Sequence, residues 1–181
     1  FTSNVFGLSL YFDGVSALMF LLVSFVGWII CRFSVRYLDG DAEQGNHYRW
    51  VALTIGAVVF SVLSGNLIQF FLGWVAISIG VHHLLLHFDD RIAAKRAAWT
   101  KFAASRFGDA AFLLATVMLY ANYGTVEYAA LFDAIRGQSA GGSTLNLISL
   151  LMVLAAIAKS AQFPFHIWLP QSMETPTPVS A

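Results

Sequence analysis

The chain has 181 residues, of which 58% are hydrophobic and only 11% charged. That balance excludes an ordinary soluble domain and marks an integral membrane protein. Ten basic residues offset ten acidic ones, so no surplus of Lys and Arg is available to neutralise phosphates, which excludes a nucleic-acid role.

A single cysteine, Cys31, excludes an internal disulfide. The chain opens at Phe1 without a signal-peptide pattern and stops at Ala181 in mid-pattern, which leads to the expectation of a fragment of a longer polytopic protein.

Five apolar segments reach the roughly 20 residues that a membrane-spanning helix needs. They are placed at 14–36, 48–65, 66–88, 101–121 and 144–163, which predicts an all-α bundle. The second and third are separated only by Ser64-Gly65-Asn66, a tight polar turn that makes them an antiparallel hairpin.

Short loops rich in Lys and Arg stay cytoplasmic. Arg32, Arg36 and Arg49 are assigned to the loop after the first segment, and Arg91, Lys95, Arg96 and Lys101 to the loop after the third. The 64–66 turn has no basic residue, and 122–143, expected to be an outer loop with a flexible Gly and Ser cluster, has only Arg136. Phe1 then starts outside, and the segment after Lys159 emerges towards the cytoplasm.

On the third segment, His82, His83 and His87 precede Asp90. His83, His87 and Asp90 share one helical face, as a metal site requires, but no catalytic signature accompanies them and an interfacial role is the stronger reading. His82 suits proton handling, since imidazole titrates near neutral pH. On the fourth segment Arg106 and Asp109 are three apart and can pair, and Gly108 allows close approach of another helix. The pair either fixes packing or lends the Asp109 charge to a proton path.

Lys159 ends an apolar run just before Ser-Ala-Gln-Phe-Pro164. Inserting Lys at the centre of a spanning helix costs about 2.5 to 3.5 kcal/mol, and deprotonating a reference Lys at pH 7 costs about 4.6 kcal/mol. The two are comparable, so such a lysine is suited to exchanging a proton. Pro164 cannot continue the backbone ladder. Either the helix ends at the interface with Trp168 in an aromatic belt, or it breaks beside a hydrated cavity. No nucleotide loop, nucleophile elbow, zinc signature or cofactor motif appears.

Tyr11-Phe-Asp13-Gly-Val-Ser-Ala-Leu-Met, Leu72-Gly-Trp74, Ser105-Arg-Phe-Gly-Asp109, Lys159-Ser-Ala-Gln-Phe-Pro164 and Pro176-Thr-Pro-Val-Ser-Ala181 together resemble the proton-antiporter-like subunits of respiratory complex I and Mrp antiporters. The resemblance implies that residues 1–181 are the N-terminal part of such a transmembrane domain, that Lys159 is the central lysine of a broken-helix half-channel, and that Asp109 lies on a neighbouring helix. Respiratory members carry Glu directly after the Gly-Trp pair, whereas Val75 stands here. Val75 and His82 are seven apart on one helical stripe, which makes His82 a candidate replacement.

Trp74-Val75, His82-His-Leu-Leu, Arg36-Tyr-Leu-Asp-Gly-Asp41 and the basic run from Asp90 to Phe102 resemble the DabB branch, the membrane subunits of inorganic carbon pumps. That resemblance implies a cation path, probed first at Lys159, Asp109, His82, Arg106 and His83. It also implies a peripheral DabA-like zinc partner similar to β-carbonic anhydrases, so the zinc chemistry would lie outside this chain. The alternatives are a respiratory or Mrp-type antiporter subunit and a purely structural membrane anchor.

Overall fold

The computed structural model describes residues 7–87, 92–137 and 142–171. Among these the chain forms α1 (Gly14–Tyr37), α2 (Gln44–Val62), α3 (Leu67–Leu85), α4 (Ile92–Tyr123), α5 (Tyr128–Gly137), α6 (Ser143–Lys159), a single 3₁₀ turn (Phe165–Ile167) and α7 (Trp168–Gln171). No strand occurs among the described residues; there are two isolated bridges, Leu10 with Ser64 and Asn66 with Glu127.

Local chemistry sets the helix starts. The Asp13 carboxylate accepts from the Ser16 amide at 2.7 Å while the Ser16 hydroxyl answers the Asp13 amide, a reciprocal cap on α1. Asn66 caps α3 by accepting from the Gln69 amide at 2.7 Å. The 64–66 turn does more than reverse the chain. Gly65 donates to the Ser9 carbonyl at 2.8 Å, Leu67 to Val126 at 3.0 Å, and Tyr128 to Gly65 at 3.1 Å, so three segments are tied at one end of the bundle. At the opposite end, His87 lies 3.4 Å from Asp41 and brings the 38–43 and 86–87 connections together. The expected basic loops therefore share one end and the base-poor turns the other.

Helix α3 packs between α2 and α4, α6 lies against α4, and α1 lies against α2. Leu67, Phe112, Ala115, Leu119, Leu131, Ile148 and Ala155 form the buried core. Much of α1 faces outward, including Leu18, Phe25 and Trp28, as expected of a helix that meets lipid.

Two glycines set the helix spacing. A Cβ on Gly73 would meet the Ser61 hydroxyl, Phe60 Cδ1 at 3.1 Å and the Ala57 carbonyl at 3.2 Å; on Gly108 it would meet Ala158 Cβ at 3.1 Å and the Ala155 carbonyl at 3.3 Å. The close approach expected at Gly108 is thus present, against α6. Gly73→Val is expected to push α2 from α3 and destabilise the protein by about 1 to 3 kcal/mol, the scale of overpacking. Thermal unfolding of the purified full-length protein reads this, and an unshifted transition would refute the tight contact.

Four expectations need correction. Helix α4 starts at 92, nine residues before the anticipated 101, because the Ala-rich basic run is itself a strong helix former. Its 32 residues span about 48 Å. The 122–143 stretch is not simply a loop, since it contains α5, anchored by buried Leu131; part of its Gly and Ser cluster lies outside the described residues. Helix α6 stops at Lys159 and not near 163, with Ser160 as its C-cap and Ala161 at φ 52°, so the break begins before Pro164. Of the five anticipated spans, α1, α3 and residues 94–123 of α4 are long and apolar enough to cross a membrane. Helix α2 carries His47 and Arg49 in its first turns, and the 17 residues of α6 reach only about 25 Å.

Candidate functional site

The polar groups of the bundle interior gather where α3, α4 and α6 meet. Trp74, Ser78 and His82 recur every four residues along one face of α3. Lys159 comes from the last turn of α6, and Lys101, Arg106 and Asp109 come from α4.

Lys159 is partly buried and donates to the Trp74 carbonyl at 2.8 Å and to the Ser78 hydroxyl. Its ammonium also sits 4.5 Å from the centre of the Trp74 ring, a cation–π contact. On its other edge the same indole donates from Nε1 to Asp109 Oδ1 at 2.7 Å. Asp109 is 6% exposed, and its second oxygen is 2.6 Å from the Arg106 guanidinium, whose side chain is 41% exposed. Trp74 therefore stands between the central ammonium and the carboxylate. The tryptophan is held in place by Phe112, stacked at 5.5 Å, and by Phe70 at 5.7 Å.

The pairing of Arg106 with Asp109 is present as expected. Direct partnership of Lys159 with Asp109 or His82 is not: the lysine binds a helix carbonyl, a hydroxyl and an aromatic face. His82 lies further along α3, with its ring 5.4 Å from Phe102 and 6.1 Å from Trp99. Its Nδ1 is buried without a hydrogen-bond partner.

His83 does not join this group. It is exposed and stacks on Trp50 at 3.8 Å. Asp90, paired with it in the metal reading, lies outside the described residues, and among those described no three His, Cys, Asp or Glu side chains are grouped to hold a metal. At the basic end, Glu43, His47, His83 and His87 line a cavity of about 250 Å³, and His47 is fully buried with both ring nitrogens unpartnered. The Glu43 amide, helped by His87, holds the Asp41 carboxyl below the usual carboxylate range.

Lys101 is the largest surprise. Assigned from sequence to a cytoplasmic loop, it is 5% exposed inside α4 and donates to the Ser78 carbonyl at 2.7 Å. The sequence does not single out Trp74 and Ser78 for this role either. Their spacing of four on α3 was visible, but nothing in the sequence indicated which face met Lys159.

This arrangement, a broken helix with a terminal lysine docked on a neighbouring helix beside an Arg–Asp pair whose carboxylate is buried, defines an antiporter-like membrane bundle. The chain belongs to the family described as NADH:quinone oxidoreductase/Mrp antiporter, TM, which matches residues 64–181, and residues 2–48 match the N-terminal region of complex I chain 5. It is 43% identical over 178 residues to a probable inorganic carbon transporter subunit DabB2 of Halothiobacillus neapolitanus, covering 98% of this chain and 32% of that protein. It is 33% identical to the NADH-quinone oxidoreductase subunit L of Mycobacterium tuberculosis (strain ATCC 25618 / H37Rv), covering 97% of this chain and 27% of that protein. The fold matches a chain in the structure of an Mrp complex from Dietzia sp. DQ12-45-1b with TM-score 0.85 and 26% identity, over 93% of this chain and 18% of that one. The chain spans about a third of the length of the DabB proteins it matches.

Proposed function

We propose that this chain is part of a proton-conducting subunit, seated in a bacterial inner membrane, of an energy-coupled complex that accumulates inorganic carbon. The observation that carries the reading is the docking of Lys159 on Trp74 and Ser78, on either side of Val75. Respiratory relatives place a glutamate at that position as the lysine's counter-charge, and here the lysine reaches α3 without one. The 43% identity to a DabB2 protein supports the same reading. In this reading protons enter at the Lys159 level, with Asp109 and Arg106 setting the local field, and continue towards His82 and the basic end. A peripheral DabA-like zinc subunit would use that flow to hydrate carbon dioxide in one direction.

A respiratory or Mrp-type antiporter subunit is the second reading, favoured by the match to the Mrp complex and opposed by Val75. The test is growth in air of a carbonic-anhydrase-deficient bacterium that expresses the full-length protein with its zinc partner. Growth is expected only when both are present, and a protonophore is expected to abolish it. Rescue by the zinc partner alone would overturn the proposal.

A further inference from the structure

Two ammonium groups meet at one serine. Lys159 of α6 donates to the Ser78 hydroxyl, and Lys101 of α4 donates to the Ser78 carbonyl at 2.7 Å. The hydroxyl also reaches the Trp74 carbonyl at 3.2 Å, so it accepts on one side and donates on the other. Nine residues into α4, Lys101 turns inward to 5% exposure, and among the described residues no carboxylate pairs with it. Among the described residues the one buried carboxylate nearby, Asp109, is already engaged by Arg106 and Trp74. A contact built only to join helices would not set two like charges on one residue, where they repel.

We propose that Lys101 is the second proton-carrying lysine of the path and exchanges one proton with Lys159 through the Ser78 hydroxyl. Lys159 in its ammonium form gives a proton to Ser78 Oγ. In concert, the neutral Lys101 amine turns from the Ser78 carbonyl to its hydroxyl and takes the serine's own proton, which leaves the Trp74 carbonyl. One N–H bond breaks on α6 and one forms on α4, the serine ends with a single proton, and the charge has moved one helix. Towards the basic end, His82 lies one turn beyond Ser78 on α3 and packs against Phe102, the residue after Lys101.

This inference rests on the proton-path reading of Lys159. Its test is proton uptake into proteoliposomes that hold the complete complex, comparing Lys101→Met, Lys101→Arg and Lys159→Ala. Arginine keeps the cation and the hydrogen bond to Ser78 but does not release its proton. Both Lys101 variants are expected to lose flux on the order of 10²-fold, the scale of removing a positioned proton-transfer group. Full flux in Lys101→Arg assigns the residue to packing and overturns the inference, as does full flux in Lys101→Met. If Lys101→Met does not assemble, the arginine variant decides. Loss in Lys159→Ala with full flux in Lys101→Arg removes only this inference, whereas full flux in Lys159→Ala removes the proton path itself.

Discussion

Lys159→Ala is expected to abolish transport while the protein still inserts and assembles. The ammonium is held by the Trp74 carbonyl, the Ser78 hydroxyl and the Trp74 ring. None of these oxygens is stranded by its loss, since the carbonyl belongs to a helix ladder and the hydroxyl keeps the Trp74 carbonyl as a partner. Insertion becomes easier as well, because a charged group at that depth costs about 2.5 to 3.5 kcal/mol. Stability and function should therefore separate: normal abundance in the membrane, with proton flux down about 10²-fold or more. Lys159→Arg sharpens the result. It preserves positive charge and can stack on Trp74, but a guanidinium holds its proton at all accessible pH. Flux lost in both variants identifies proton release as the requirement, whereas flux restored by arginine would mean that a fixed charge suffices and that the lysine carries nothing. Immunoblotting of membranes beside flux measurements in vesicles reads both quantities.

The helices of the bundle were legible because hydrophobic length and loop charge are properties of contiguous sequence. The hairpin at 64–66, the pairing of Arg106 with Asp109 and the close approach at Gly108 follow from spacing alone, and the structure contains all three. What escaped were features decided by rotation and contact. Lys101 reads as a loop residue in a run with Lys95 and Arg96, yet the helix continues through that run and turns Lys101 towards α3. Trp74 looks like one of many membrane aromatics until its indole is seen to bond Asp109 on one edge and carry Lys159 on its face. Helix α5 reads as loop in the sequence because ten residues between polar segments fall below spanning length, although a short helix that buries Leu131 needs no span. His83 failed for the opposite reason: its adjacency to His82 in sequence places it about 100° round the helix, on the Trp50 side.

Asp109→Asn is the change that separates a structural ion pair from a working one. The amide oxygen can still accept from Trp74 Nε1, so the tryptophan should hold its place, but the charge facing Arg106 and acting on Lys159 and Lys101 is gone. Breaking a buried pair from one side costs about 3 to 5 kcal/mol. Here the cost should be smaller, because Arg106 is 41% exposed and can turn to water or headgroups. The decisive comparison is Arg106→Gln/Asp109→Asn, which removes both charges. Loss of two partners together is nearly neutral for folding when the shapes are kept, so a pair that only fixes packing would leave the double variant assembled and transporting normally. If the carboxylate sets the field for proton exchange at Lys159, the double variant should assemble like wild type and still lose flux about 10²-fold, with partial recovery in Asp109→Glu. Flux equal to wild type in the double variant would reduce Asp109 to a packing residue. The path would then depend on the two lysines and Ser78 without any carboxylate at that level, a stronger departure from respiratory relatives than Val75 alone implies.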